Sequence, residues 1–296
     1  MSTVVTYGFY PLVASLTIAF AWLNFTGAHD LQRAYAVFTA ARFVLFIVAE
    51  MVWPCRAEWR MTWRSFLRDV KYMVAGGGLM QVVKFAVAWL AIGAAQENAG
   101  GLATLPLVAQ VLLAILAYEL VQYGVHRYSH EGRGPLGRFF WRIHAVHHLP
   151  KRIYFLMHPV MHPLNILIVS AIGLIPSYVL GLNKEAVFLF NLILSVSGLF
   201  SHFNVDIKVG PLNYLLIGTE LHRRHHSANL QEAGNYGAVT PFWDLVFGSF
   251  SYAGSQLPER LGTAGDTPYP SSDAYLACLA LPFRLTDPNG EVVKEP

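Results

Sequence analysis

Eight histidines occur at spacings that place imidazoles on shared helix faces. His126 and His130 lie four residues apart in HRYSH, His144, His147 and His148 follow in HAVHH, and His222, His225 and His226 repeat that second spacing in HRRHH. Residues three or four apart on a helix are neighbours, about 5–6 Å apart, so each set can converge on a metal ion. Eleven of the twelve histidines fall between residues 126 and 226. Histidine is the commonest side-chain metal ligand, and such a concentration points to metal chemistry. Eight ligands are too many for one ion, so a dinuclear centre is expected. His202, at the end of an apolar run, is a candidate ninth ligand. His162, in MHPLN, is a further candidate as ligand or ligand support. His158 reads as structural, and His29 as a loop residue.

Metal-bound imidazoles usually donate their second N–H to a carboxylate or a carbonyl. Glu119, two helical turns before His126, is the first candidate for that role, followed by Glu220, Asp206 and Asp244. Cys55 and Cys278 are far apart and offer no thiolate zinc site. All-imidazole sites suit zinc, copper, iron and nickel, and affinity alone favours copper or zinc. The residues by themselves leave the metal open.

The elements that must hold these ligands are membrane helices. Of the 296 residues 54% are hydrophobic and 13% charged, with a mean hydropathy of +0.41. Soluble domains carry about 25% charged residues, so most of this surface does not face water. Apolar runs at 8–26, 34–53, 72–95 and 102–124 are long enough to span a bilayer as helices. A further apolar hairpin, 163–203, turns at GLNKE. The expected fold is all-α, an integral membrane protein whose histidine boxes sit in a helical cap. It is read as a single unit, with helices and an interfacial basic helix 54–72 in 1–125, a histidine region 126–253, and a C-terminal loop and packing helix 254–296. The first apolar run has no basic stretch before it and no small-residue cleavage site, so it reads as a retained span.

Lys and Arg concentrate in 54–72 and 126–152, which predicts that these segments, the histidines and both termini are cytoplasmic. Arg56, Arg60, Arg64 and Arg68 recur at every fourth residue and form a candidate docking surface for a redox partner. Arg42 and Lys84 fall inside predicted spans and are expected to face protein rather than lipid. Glu50 and Gln110 are possible partners for them. The net charge of +3 does not suggest a nucleic-acid partner.

HRYSH, HAVHH and HRRHH, in that order, resemble the three histidine boxes of the fatty acid hydroxylase/sterol desaturase superfamily of membrane-bound di-iron enzymes. LFSHFNVDIKVGPLNYLLIGTELHRRHHS, NYG at 235–237 and WDLVFGSF at 243–250 are similar to it as well. The likeness covers about 115–253. It implies two irons, isolable also as zinc, held by the eight box histidines with His202 as the additional one. It further implies O2 as co-substrate and a membrane lipid that is oxidised at a C–H bond. Many relatives carry an acid where this chain has Asn165. The chain has no HPGG haem-binding signature and no dinucleotide fingerprint, so electrons are expected from a separate donor protein.

Hydroxylation is the first expectation. Desaturation, methyl oxidation or ether-lipid cleavage are alternatives on the same site. A non-redox membrane zinc protein is the alternative of another class. A membrane zinc protease would require HExxH, whereas HEGRG at 130–134 lacks the second histidine.

Overall fold

A computed structural model describes residues 3–27, 31–94, 101–254, 256–264 and 269–284. His29, the side chain of Lys84 and both extreme termini lie outside the described residues. The helices are α1 (Thr3–Thr26), α2 (Leu31–Val52), α3 (Trp63–Ala94), α4 (Leu107–Glu131), α5 (Gly134–His148), α6 (Pro163–Val179), α7 (Lys184–Ser201), α8 (Thr219–His225), α9 (Phe242–Phe247) and α10 (Tyr275–Ala280). No strand occurs among the described residues, although an isolated antiparallel bridge joins Ser227 to Leu261.

Among the described residues, four helices are long and apolar enough to cross a membrane: α1, Arg33–Val52 of α2, α4 and α7. Only 22–33% of each apolar window is buried by protein, so the rest of these apolar surfaces faces outward. That arrangement suits lipid and would be costly in water. The four differ from the expected set in one member. Most of the expected 72–95 span falls in α3, but residue 95 and the side chains of 84–94 lie outside the described residues; the second arm of the hairpin, α7, is the fourth helix of the set. The first arm, α6, is a shorter helix of 17 residues.

A separate basic helix over 54–72 does not form. Thr62 and Ser65 cap one another, Thr62 N donating to Ser65 Oγ (2.9 Å) and Ser65 N to Thr62 Oγ1 (3.2 Å). This reciprocal cap starts α3 at Trp63, and the residues before it form a loop with one short turn, Ala57–Trp59. Arg64 and Arg68 therefore belong to α3, and Arg56 and Arg60 to the loop.

Helix α4 packs on α5, α6 and α7, and α3 packs chiefly on α6. Phe9, Phe46, Phe155, Phe200 and Phe203 pack into one aromatic core where α1, α2 and α7 meet. Glu50 pins the same region by accepting from Phe155 N (2.8 Å) and Asn204 N (2.7 Å). Arg42 is buried but meets neither expected partner. It donates to Thr39 Oγ1 and Ser195 Oγ and lies over the Phe38 ring. Gln110 instead ties Ala103, Leu105 and Asn183 together.

The turn between α4 and α5 decides how the first two histidine boxes meet. Gly134 has φ +74°, which side chains rarely adopt. A Cβ on Gly137 would run into the backbone of Gly132. The GRGPLG sequence thus folds α5 back on α4 at backbone contact, with His126 and His130 facing His144 and His148.

Candidate metal centre

Among the described residues, nine histidines gather into two clusters. His126, His130, His144, His148 and His225 form the first, and His147, His202, His222 and His226 the second, each with its ligand atoms within 4.8 Å of one another. The clusters adjoin, with the His148 and His226 rings stacked at 4.3 Å. All nine are buried except His130, which is half-buried.

The assortment differs from the simple convergence expected of HxxHH. His144 and His148, spaced i,i+4, stay together, but His147 turns to the other cluster. Likewise His222 and His226 stay together and His225 crosses over. Adjacent helical residues point about 100° apart, so an HxxHH box cannot aim all three rings at one point. Each of the last two boxes instead contributes to both clusters, which locks the two sites to each other.

The donor set fits metal ions better than hydrogen bonding. His202 Nε2 lies 3.0 Å from His147 Nε2, 3.0 Å from His226 Nε2 and 3.1 Å from His222 Nε2. In the first cluster His144 Nε2 is 3.0 Å from both His126 Nε2 and His148 Nε2. A neutral imidazole has one proton to donate, so these sets cannot be satisfied internally. Nitrogens held about 2.1 Å from a shared ion at right angles would be about 3.0 Å apart. Moreover, Nε2 of His130 and Nε2 of His225 are buried with no hydrogen-bond partner.

Electrostatics point the same way. Burial foremost, then neighbouring imidazoles, holds His144, His148, His202, His222, His225 and His226 well below the ordinary histidine range. His147 is pushed down to about 3 by burial and then by His158. All seven are neutral at physiological pH, with lone pairs available for a metal.

The second nitrogens are oriented mainly by backbone. His126 Nδ1 donates to the Tyr236 carbonyl (2.7 Å), His147 Nδ1 to Val160 (3.1 Å) and His225 Nδ1 to Gly234 (3.0 Å). None of the four candidate carboxylates shows a hydrogen bond to a histidine. Glu119 accepts from Ala238 N (3.1 Å) and Val239 N (2.5 Å), and Asp244 from Tyr236 N (2.7 Å) and Gly237 N (2.9 Å). These two acids shape the NYGAVT turn, which in turn presents the Tyr236 carbonyl to His126. Gly237 is required there, because a Cβ would strike the Thr240 carbonyl and come within 3.1 Å of Asp244 and 3.3 Å of Glu119. Glu220 accepts from Val209 N and Asn213 Nδ2, and Asp206 pairs with Lys208.

His162 lies in neither cluster. Its Nδ1 accepts from Leu164 N to cap α6 and its Nε2 meets the Leu279 carbonyl, so both nitrogens are engaged away from the centre. His158, read as structural, is instead in direct contact with a cluster: its Nδ1 is 3.0 Å from His202 Nδ1. Asn165 Nδ2 contacts Met161 Sδ rather than a histidine. Arg223, between two box histidines, is fully buried and donates to the Phe203 and Val205 carbonyls, fixing α8 to the segment after His202. A charged residue inside HRRHH was its only sequence signal.

Of the four arginines in the basic stripe, Arg68 is unavailable to a partner. It is buried against Asp69 (2.6 Å), Tyr154 Oη (2.6 Å) and Ser272 Oγ (3.0 Å). Arg64 pairs with Asp273 at 2.7 Å, Arg56 lies over Trp59, and Arg60 remains exposed.

The family model described as fatty acid hydroxylase matches residues 111–249. An ornithine lipid hydroxylase, OlsE, of Rhizobium tropici is 32% identical over 179 residues, 60% of this chain and 51% of that protein. The very-long-chain aldehyde decarbonylase GL1-11 of Oryza sativa is 23% identical over 145 residues, 48% of this chain and 53% of its own length. The chain thus spans about half the length of the curated relatives it matches. No solved structure matches it. Residues 111–249, the stretch that is similar to the fatty acid hydroxylase family, contain every histidine of both clusters.

Proposed function

We propose that this protein is a membrane-bound di-iron oxidoreductase that hydroxylates a C–H bond of a membrane lipid. The observation that carries this reading is the pair of adjoining all-imidazole clusters at one end of apolar helices, within a hydroxylase-family segment. Two irons held there would supply O2 activation, with one oxygen atom entering the lipid and the other leaving as water at the cost of two electrons and two protons. His126, His130, His144, His148 and His225 would hold one ion, and His147, His202, His222 and His226 the other. The Tyr236, Val160 and Gly234 carbonyls fix the ring orientations, and burial keeps bulk water from the ligands.

The Lys/Arg bias supports a cytoplasmic location for the histidine end and both termini. The two electrons come from a separate donor that docks beside exposed Arg60 and Arg152, which meet at the Arg60 carbonyl. Arg60→Glu is expected to slow turnover with the protein donor but not with a small chemical reductant; equal rates with both would remove that surface.

The test of the activity is lipid mass spectrometry on cells carrying the intact chain or His147→Ala. Ornithine lipids, named in the bacterial relative, are the first lipids to inspect. A product heavier by one oxygen, absent with His147→Ala, is expected. Identical lipid profiles, with iron loading of the intact protein established, would overturn the reading. The rice relative favours a second oxidative outcome on the same centre. A product lighter by two hydrogens, or shortened, would select that outcome over hydroxylation.

A further inference from the structure

The two clusters are not equally accessible. A small cavity opens beside the first, lined by His130, His148 and His225 together with Trp141, Tyr269 and Leu230 among others. No histidine exclusive to the second cluster lines it. His130 is also the one ligand candidate that is only half-buried, and its Nε2 and that of His225 have no hydrogen-bond partner. The four histidines of the second cluster are between 1% and 9% exposed.

Trp141 Nε1 donates to Tyr269 Oη at 2.7 Å, which fixes the indole 5.1 Å from the His130 ring and 6.0 Å from that of His148. Leu230, 57% exposed, stands at the mouth.

We propose that this cavity is the port through which a divalent metal ion enters and leaves the first cluster, whereas the second exchanges only when the fold opens locally. A ligand that can swing without breaking a hydrogen bond releases its ion without disturbing its neighbours, and His130 Nε2 meets that condition. In the second cluster His147 and His202 are held by Val160 and His158, so release there requires several buried contacts to break together. The inference rests on the two-ion reading of the centre.

The test uses the full chain in lipid nanodiscs, loaded with Co2+ and challenged with a chromophoric chelator. Two equivalents should bind, one leaving at least about tenfold faster than the other, as expected when one route needs local opening. Leu230→Trp, which narrows the mouth, should slow the fast phase alone, and Leu230→Ala should quicken it. Leu215→Trp, an equally bulky change at an exposed site away from the cavity, should alter neither phase. A single rate for both equivalents, or a fast phase indifferent to both Leu230 variants, would overturn the port. Binding of fewer than two equivalents would instead overturn the two-ion reading beneath it.

Discussion

Removing Glu119 should loosen a metal site that its carboxylate does not touch. Glu119 is fully buried on α4 and accepts from Ala238 N and Val239 N. In Glu119→Ala both N–H groups lose their acceptor, and a buried unsatisfied donor costs about 1–3 kcal/mol, giving about 2–6 kcal/mol in all. The strain falls on the turn that carries the Tyr236 carbonyl, the partner of His126 Nδ1 at 2.7 Å. Loss of such an outer partner typically weakens metal binding about 10–100-fold. The assay is metal affinity by chelator competition together with thermal unfolding, for Glu119→Ala and for Glu220→Ala. Glu220 also accepts a backbone N–H, from Val209, but supports no segment that orients a histidine of the first cluster. Both variants should unfold at lower temperature, and only Glu119→Ala should lose affinity for one of two ions. Wild-type affinity in a folded Glu119→Ala protein would refute the chain from carboxylate to turn to imidazole.

Two other perturbations follow from the same geometry. His158→Ala removes the contact at His202 Nδ1 and should weaken binding of the second ion about 10–100-fold, with the first unaffected, as read by titration of the metal-free protein. The metal-free protein should also be acid-labile. Seven cluster histidines outside the spans have depressed pKa values, so below about pH 6.5 the unfolded chain binds protons that the folded chain does not. Each such group lowers stability by about 1.4 kcal/mol per pH unit as pH falls, down to about pH 3 for His147. Unfolding temperature measured from pH 8 to pH 5 should fall steeply below 6.5 without metal; a flat profile would contradict the neutral imidazole clusters.

The histidines of the two clusters were legible because their chemistry is repetitive: eight histidines at i, i+3 and i+4 announce themselves without any knowledge of the fold, and His202 could be added from its place at a helix end. Their distribution between two clusters was not legible, since it depends on how α5 and α8 are rotated about their axes by packing. The outer partners were hidden for a different reason. Val160, Gly234 and Tyr236 act through carbonyls that every residue possesses, so no side-chain type marks them. Glu119 and Asp244 drew notice as acids near histidines, but their hydrogen bonds run to a turn far along the chain. His162 misled because a histidine before proline suits a helix cap as well as a ligand. The break of the basic stripe at Thr62 carried a readable signal, the T-x-x-S cap, outweighed by the regular arginine spacing.

The di-iron proposal requires two metal ions per chain, one in each cluster. Metal content per chain, measured by mass spectrometry after iron loading of the purified protein, tests it most directly when His202→Ala is compared with the intact protein. Two irons per intact chain, falling to one in the variant, is the predicted result. One iron per intact chain, or two retained without His202 at undiminished affinity, would contradict it.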